Sequence, residues 1–207
     1  MRYIANRSSG KQGFAIAAAL AARGARVTLI AGPVGLDTPP GVTRVDVETA
    51  RDMAAAVDAA LPCDAAIMVA AVADWRVESA GQKIKKDGRG GPSVLRLVEN
   101  PDILSDLARS PQRPRLLVGF AAETENVIAN AQAKLARKGC DWIVANDVSG
   151  PKNKSVMGGD ANTVHLVIAD GVESWERMAK NTVAERLVLR IIAALDRHEA
   201  TKCSPDG

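Results

Sequence analysis

The chain is poor in the residues that most often announce a function: two histidines, three cysteines, one tyrosine, two phenylalanines and three tryptophans among 207 residues. Cys63, Cys140 and Cys203 stand far apart, with no Cys-x-x-Cys pair and no histidine partner, so neither a disulfide framework nor a zinc site is indicated and a reducing cytoplasm fits. So few aromatics leave little stacking surface for single-stranded bases, and no Lys/Arg stripe suits a duplex, which argues against nucleic acid as a partner. His165 and His198 have no Ser or Cys motif beside them, leaving triad chemistry unsupported. No apolar run approaches the ~18 residues of a membrane span. The amino terminus does imitate a secretory signal, with Arg2, Arg7 and Lys11 ahead of the apolar run 14–22. That run is mostly alanine, follows a glycine pair and continues through Gly24 into a strand pattern, so the signal reading is rejected.

Nucleotide motifs of the familiar kinds are missing too. There is no Gly-x-Gly-x-x-Gly turn, Ile30 is followed by Ala31 and Gly32 where a ribose-binding acid is expected, and Tyr3 has no lysine four residues on. A nicotinamide oxidoreductase is thereby excluded. The glycine spacing of a Walker loop is absent around Gly10-Lys11.

What is present is the alternation of an α/β protein. A 47% hydrophobic content suits a packed core, and 27 basic against 24 acidic residues give a mixed surface with a net charge of +3. The stretch Arg2-Tyr3-Ile4-Ala5-Asn6-Arg7-Ser8-Ser9-Gly10-Lys11-Gln12-Gly13 runs from a short apolar strand through small polar residues into a helix. Ser9 with Gln12 fits a capping box, and Ser8 with Lys11 is a competing register. A helix start of this kind favours phosphate or carboxylate, although the same pattern also caps ordinary helices.

Helical spacing through residue 21 predicts a helix stopped at Gly24, then a strand over 26–30. Further strands are expected over 42–47, 64–70, 115–120, 141–146 and 163–169, and helices over 50–60, 126–138 with Gly139 as its stop, and about 182–197. Several of the strands are continuous apolar runs, the mark of burial on both faces of a parallel sheet. Asn100-Pro101-Asp102-Ile103 opens another helix, with Pro101 suited to its first turn. Residues 149–162 read as a long loop and 201–207 as a frayed tail. After Asp74 the texture changes: Lys83-Ile84-Lys85-Lys86 and 93–98 read as two extended arms around a glycine-rich turn, a flap or dimer arm at about 75–99. The fold class expected is a doubly wound, Rossmann-like, mostly parallel α/β sheet forming a single domain over 1–200.

In such a fold ligands bind beyond the carboxyl ends of the strands, and those ends are polar here: Asp74, Glu123, Asn146 and Asp147. Lys134 and Lys138 lie one turn apart on one helix face, a like-charge pairing that costs roughly 0.2–0.5 kcal/mol unless an anion or solvent relieves it. The plain alternative for them is a solvated basic face. Lys83 and Lys85 share one side of an extended segment, where edge-strand lysines commonly block aggregation.

Arg2 to Gly13, Ala70-Ala71-Val72-Ala73-Asp74-Trp75, Lys83-Ile84-Lys85-Lys86, Asn100-Pro101-Asp102-Ile103, Gly119-Phe120-Ala121-Ala122-Glu123-Thr124 and Ala145-Asn146-Asp147-Val148 together resemble the phosphopantothenate-cysteine ligases, the synthetase half of the bacterial bifunctional coenzyme A biosynthesis proteins. The likeness keeps the family's order and spacing from Arg2 to about Val183. It implies a CTP-dependent ligase that joins 4'-phosphopantothenate to L-cysteine through an acyl-cytidylate, releasing pyrophosphate and then CMP. By the same matching, Asn6 handles the reacting carboxylate and the intermediate, Lys83 is the flap lysine that reaches the phosphates, Arg2 pairs with an anionic substrate group and small Ala71 leaves room beside the intermediate. Asp74, Lys83, Asn100, Pro101, Asp102, Ile103, Phe120, Lys134 and Lys138 fall on the family's CTP contacts, and Ser8, Ser9 and Gly10 on its phosphate-binding turn. Mg2+ is expected with CTP, and a cytoplasmic homodimer is expected with the 75–99 excursion at the partner contact. Family members carry a strand and a Gly-Thr-Arg-Glu-like turn before the Arg2 match, and a flavin-dependent decarboxylase domain fused upstream, so no flavin chemistry is expected of these residues. The reading of another class is a truncated CTP-binding module without turnover.

Overall fold

The structure is a computed structural model that describes residues 6, 8–78, 95–148 and 161–202, with side chains through 197. In chain order its elements are α1 (Lys11–Ala21), β1 (Val27–Ala31), β2 (Val42–Asp46), α2 (Ala50–Ala59), β3 (Ala65–Met68), β4 (Trp75–Val77), β5 (Leu97–Glu99), α3 (Ile103–Arg109), β6 (Leu116–Glu123), α4 (Val127–Lys138), β7 (Trp142–Asp147), β8 (Ala161–Ile168), β9 (Gly171–Ala179) and α5 (Lys180–Lys202). The main sheet runs β3-β6-β7-β8-β9, parallel through β7 and antiparallel beyond it, while β1 and β2 form a separate parallel pair. A mixed α/β architecture with a mostly parallel sheet is what the apolar runs predicted.

Two apolar layers enclose the main sheet, because alternate residues of its strands point to opposite faces. On one face Leu116, Val118, Val144, Val164 and Leu166 pack under Ile16 of α1 and Val183, Leu187, Val188 and Ile191 of α5. On the other, Leu117, Ala121, Ile143, Ala145 and Val167 meet Val57 of α2, Leu107 of α3 and Ala131 of α4. Helices on both faces make the sheet doubly wound. Gly119 marks the tightest approach: a Cβ there would stand 2.7 Å from Leu104 Cδ2 and 2.9 Å from Ile143 Cδ1, so the absence of a side chain lets α3 press onto β6.

Several local expectations need correction. The start of α1 has no side-chain cap; Gly10, at φ 72°, is its N-cap residue, and the Ser8 hydroxyl accepts from the Gly10 amide at 3.4 Å. Neither capping-box register forms. Pro101 is not in the first turn of α3, because Asp102 is the N-cap residue and accepts from the Ser105 amide at 3.2 Å. Glu123, Asn146 and Asp147 lie within the last residues of β6 and β7 and not after them. Strand β8 starts at Ala161, two residues into what reads as loop, and α5 spans Lys180–Lys202, so Thr201 and Lys202 belong to the helix and not to a frayed tail.

The unexpected element is β9. Of Gly171–Ala179 only Trp175 is fully buried, at 1% exposure, which is why no strand period stands out. Arg186 of α5 lies over the Trp175 ring at 4.8 Å. Glu173 accepts from Arg190 at 2.6 Å and from Arg186 at 2.7 Å, and these bonds hold its carboxyl at about 2 against a smaller opposing effect of burial. The clamp ties the edge strand to the closing helix.

Strands β4 and β5 pair antiparallel as a separate ribbon, with Trp75 opposite Glu99 and Val77 opposite Leu97. The Glu78 amide extends the pairing to the Arg96 carbonyl at 2.9 Å. The paired strands are thus 75–77 with 97–99; the first expected arm, 83–86 with Lys83 and Lys85, lies outside the described residues.

Candidate active site

The polar strand ends gather into one band. Leaving β3, the chain passes through exposed Ala71 and exposed Asp74 before entering the ribbon. Asn6 Nδ2 donates to the Val72 carbonyl at 3.2 Å, which brings the segment before α1 against this exit. Gly13 in the first turn of α1 faces it too, since a Cβ there would be 3.8 Å from Val69 Cβ. Asn100, where the ribbon returns, donates its side-chain amide to the Ala73 carbonyl and its backbone amide to the Asp74 carbonyl, both at 2.8 Å. Arg76 in turn donates to the Asn100 Oδ1 at 3.4 Å and to the Glu99 carbonyl. Segments 6, 71–74 and 100 are thus laced together by side-chain amides.

Asp102 continues the band. Besides capping α3 it accepts from the Ser105 hydroxyl at 2.8 Å and pairs with Lys138 of α4. Burial alone would raise its carboxyl, but the bonds from Lys138 and Ser105 outweigh that and hold it below the usual range. Lys134, one turn earlier on α4, donates to the Phe120 carbonyl at 2.8 Å. Burial, and then repulsion from Lys138, pulls the Lys134 ammonium below the ordinary lysine range, against the attraction of Glu123. The two lysines are consequently not a solvated basic face. Each is held by an internal oxygen, which relieves the like-charge pairing. Glu123 accepts from Asn130 Nδ2 at 3.2 Å beside them.

Such a band can hold a ligand rich in acceptors. The ammonium groups of Lys134 and Lys138 and the amides of Asn6 and Asn100 are donors supplied from different elements, whereas the half-buried Phe120 side chain, in the middle of β6, packs on the opposite face with the α1 and α5 layer and meets Lys134 only through its carbonyl. Ser8 and Ser9 are exposed at the start of α1, next to the αL turn at Gly10, so the phosphate-binding turn expected there is open. An open concavity beside it is lined by Lys11, Phe14, Leu36, Asp37, Lys180 and Asn181. A second groove, with Arg113, Gln132, Trp142 and Arg197 in its walls, lies at the opposite, amino-terminal end of β7. Arg2 and Lys83 lie outside the described residues; the other predicted site residues fall in this band or at the start of α1.

Sequence reading missed one polar link into the site. Gln12 of α1 donates to the Lys180 carbonyl at 3.2 Å and accepts from Asn162 Nδ2 at 3.4 Å. Asn162 carries no sequence signal, because it stands at the end of a polar loop-like stretch. His165 does have a serine neighbour, with Nδ1 at 2.8 Å from the Ser174 hydroxyl across the β8–β9 ladder, but no carboxylate bonds this imidazole among the described residues. No group of three His, Cys, Asp or Glu side chains suited to a metal ion occurs among the described residues. Cys63 and Cys140 are free thiols, and Cys140 is buried. No helix of the described residues is long and apolar enough to cross a membrane.

Comparison with known proteins gives a consistent picture. Residues 1–195 match the family described as the DNA/pantothenate metabolism flavoprotein C-terminal domain. The coenzyme A biosynthesis bifunctional protein CoaBC of Haemophilus influenzae is 46% identical over 203 residues, covering 97% of this chain and 49% of that protein. The Escherichia coli K12 protein of the same name is 46% identical over 199 residues, covering 95% of this chain and 48% of its own length. The chain therefore spans about half the length of the curated relatives it matches. Among solved structures, the C-terminal domain of a CoaBC protein superposes with a TM-score of 0.78 at 36% identity, covering 95% of this chain and 88% of the other.

Proposed function

This chain belongs to the DNA/pantothenate metabolism flavoprotein C-terminal domain family, and on that premise we propose that it is a ligase of coenzyme A biosynthesis, joining 4'-phosphopantothenate to L-cysteine at the expense of CTP. The observation that carries the reading is the gathering at the carboxyl ends of the strands of two bonded groups, Asn6 and Asn100 on the 72–74 segment, and Asp102 with Lys138 beside Lys134 on the Phe120 carbonyl. A Cab2 mutant in complex with phosphopantothenate-cysteine has the same fold, with a TM-score of 0.70 at 15% identity.

The chemistry has two displacements. A carboxylate oxygen of 4'-phosphopantothenate attacks the α-phosphorus of CTP and pyrophosphate leaves, giving the acyl-cytidylate. The cysteine amine then attacks the acyl carbon, the amine loses a proton, and CMP leaves as the amide forms. Both steps concentrate negative charge, so the protein's part is to fix the partners in line and to place donors where charge grows. Asn6 suits the carboxylate and the acyl-cytidylate, because an amide hydrogen-bonds either without adding a charge of its own. Lys134 and Lys138 offer donors to the nucleotide from the α4 side, Phe120 contributes from the α1–α5 face of β6, and Asn100 and Asp74 adjoin the sugar and phosphate region. Ser8, Ser9 and Gly10 receive phosphate at the start of α1; Arg2 pairs with substrate anion and Lys83 closes over the phosphates.

A divalent ion suits this reading as a companion of the nucleotide. In a nucleotide site Mg2+ is held mainly by substrate phosphates and water with one or two protein oxygens. Asp74, exposed at the strand end, would be the side chain to hold it, and the ion would neutralise the triphosphate. The setting expected is a cytoplasmic homodimer in which the β4–β5 ribbon meets the partner.

Pyrophosphate release from CTP tests the proposal directly. Release is expected with 4'-phosphopantothenate and Mg2+ present, and amide product only when L-cysteine is added. No release at saturating substrates, with CTP still binding by calorimetry, would assign the chain to nucleotide binding without turnover.

A further inference from the structure

The start of α1 carries Ser8, Ser9 and Gly10 and adjoins Asn6, yet no side chain caps it. Its position therefore depends on ties from elsewhere. One is the bond from Asn6 to the Val72 carbonyl, and another is the two-amide chain in which Asn162 donates to Gln12 and Gln12 donates to the Lys180 carbonyl. That chain fastens the first turn of α1 to the second residue of β8 and the first residue of α5.

Asn162 is an unusual choice for its place. It is 5% exposed, one strand step from Val164 on the face that packs against α1 and α5, and its Oδ1 finds no donor among the described residues. Asn146, which lies opposite Val164 on the neighbouring strand and so shares that face, also has a buried Oδ1 without a donor among the described residues. An unmet buried acceptor lowers stability, and an aliphatic side chain would suit the surroundings better. What Asn162 supplies in exchange is its bond to Gln12.

We infer that Gln12 and Asn162 are positioning residues for the ligase reaction, their amide chain setting the start of α1, and with it Asn6, against the carboxyl ends of the strands. The inference rests on the proposed activity for its kinetic consequence and on geometry alone for its structural one. The first turn of α1 touches β3's exit through Gly13 and β8 through Gln12, so it bridges the ends of β6 and β7 that lie between them in the sheet. A helix start slung across the strands in this way shifts when either tether is cut. Lys134 and Lys138 are anchored separately on α4, by the Phe120 carbonyl and by Asp102, and are expected to stay in place when the tether is cut.

The test replaces Asn162 by Val in the full chain and follows three readouts. Thermal stability is expected to stay level or rise, while kcat for pyrophosphate release falls about tenfold to a hundredfold with KM for CTP within about twofold. Gln12→Leu should reproduce that split. In an Asn6→Ala background, Asn162→Val should cause no further loss, because the two act through one element. Amide hydrogen exchange should quicken at residues 10–14 and stay unchanged in α4. Turnover within twofold of the parent, a stability loss that accounts for the drop in rate, or an undiminished effect of Asn162→Val in the Asn6→Ala background would each overturn the positioning role. If the parent chain itself releases no pyrophosphate, the ligase reading has failed, and exchange at 10–14 alone then decides whether the amide chain holds α1.

Discussion

At the scale of single residues, the site consists of amides and amines whose present partners are main-chain carbonyls and one carboxylate. Asn6 spends its Nδ2 on the Val72 carbonyl and is exposed. Asn6→Asp keeps the shape but replaces a donor by a charge beside the Val72 carbonyl and beside an anionic substrate. The exposed position predicts a stability change within about 0.5 kcal/mol, and the loss of a donor aimed at developing charge predicts a fall of about a hundredfold or more in amide product. Product quantified by mass spectrometry checks this; undiminished amide synthesis would remove Asn6 from the mechanism. Lys134 gives the complementary case. Its folded pKa is lowered by burial and by Lys138, so the unfolded chain binds the proton more tightly, and the group costs stability below its folded pKa. That cost fades as pH rises from the folded value toward the ordinary lysine value. Lys134→Met is therefore expected to be neutral or stabilising near pH 7, with its advantage shrinking at alkaline pH. Its KM for CTP should rise about tenfold, as expected for a lost hydrogen bond to a ligand. Melting curves across pH and steady-state kinetics separate the two effects.

At the scale of elements, how readable the sequence is depends on how much of each element is buried. Strands β6 and β7 lie within the sheet under helices on both faces, so they read as apolar runs, as does β3 at its edge, and α4 announces its end through Gly139 at φ 68°. Strand β9 buries only Trp175, and an edge strand with a single buried residue has no period to detect. The α1 start misled for a different reason. Ser and Gln at the right spacing permit a capping box, but Gln12 is drawn instead to Lys180 and Asn162, distant contacts that no local pattern contains. The residues proposed to hold CTP were legible only through the family likeness, and their mutual bonds not at all, since a bond such as Asp102–Lys138 joins two helices whose packing is set by the fold. That packing makes its own prediction. Gly119→Ala would force a Cβ into Leu104 and Ile143, pushing α3 off β6. Overpacking of this kind costs about 1–3 kcal/mol. Because Asp102 caps α3, CTP binding should weaken along with stability, and the variant is expected to melt several degrees lower with a raised KM for CTP. Unchanged melting would show that α3 yields freely.

For the whole molecule the open question is what covers the β4–β5 ribbon. A two-stranded ribbon has too little core to be stable alone. Trp75 and Val77 share one side of it with Leu97 by register, and Trp75 and Leu97 are 48% and 46% exposed, with Leu95 two residues earlier at 49%. Large apolar side chains collected on one side of an isolated ribbon are what a partner subunit would bury. The ribbon is also continuous with the site: β4 starts directly after Asp74 and β5 ends directly before Asn100, whose two bonds to residues 73 and 74 close the ribbon's base. Pairing of two ribbons would therefore stiffen the nucleotide band as well as join the subunits. Trp75→Glu places a charge on that apolar side, at the ribbon's base opposite Glu99, while leaving both core layers untouched. The parent chain is expected to sediment as a dimer at micromolar concentration and the variant as a monomer with unchanged helical circular dichroism. Pyrophosphate release by the monomer should fall about tenfold or more, chiefly through a raised KM for CTP, and should recover partly at high protein concentration by mass action. A parent that sediments as a monomer with full turnover, or a variant that dimerises as before, would show that the ribbon's apolar side serves some other contact.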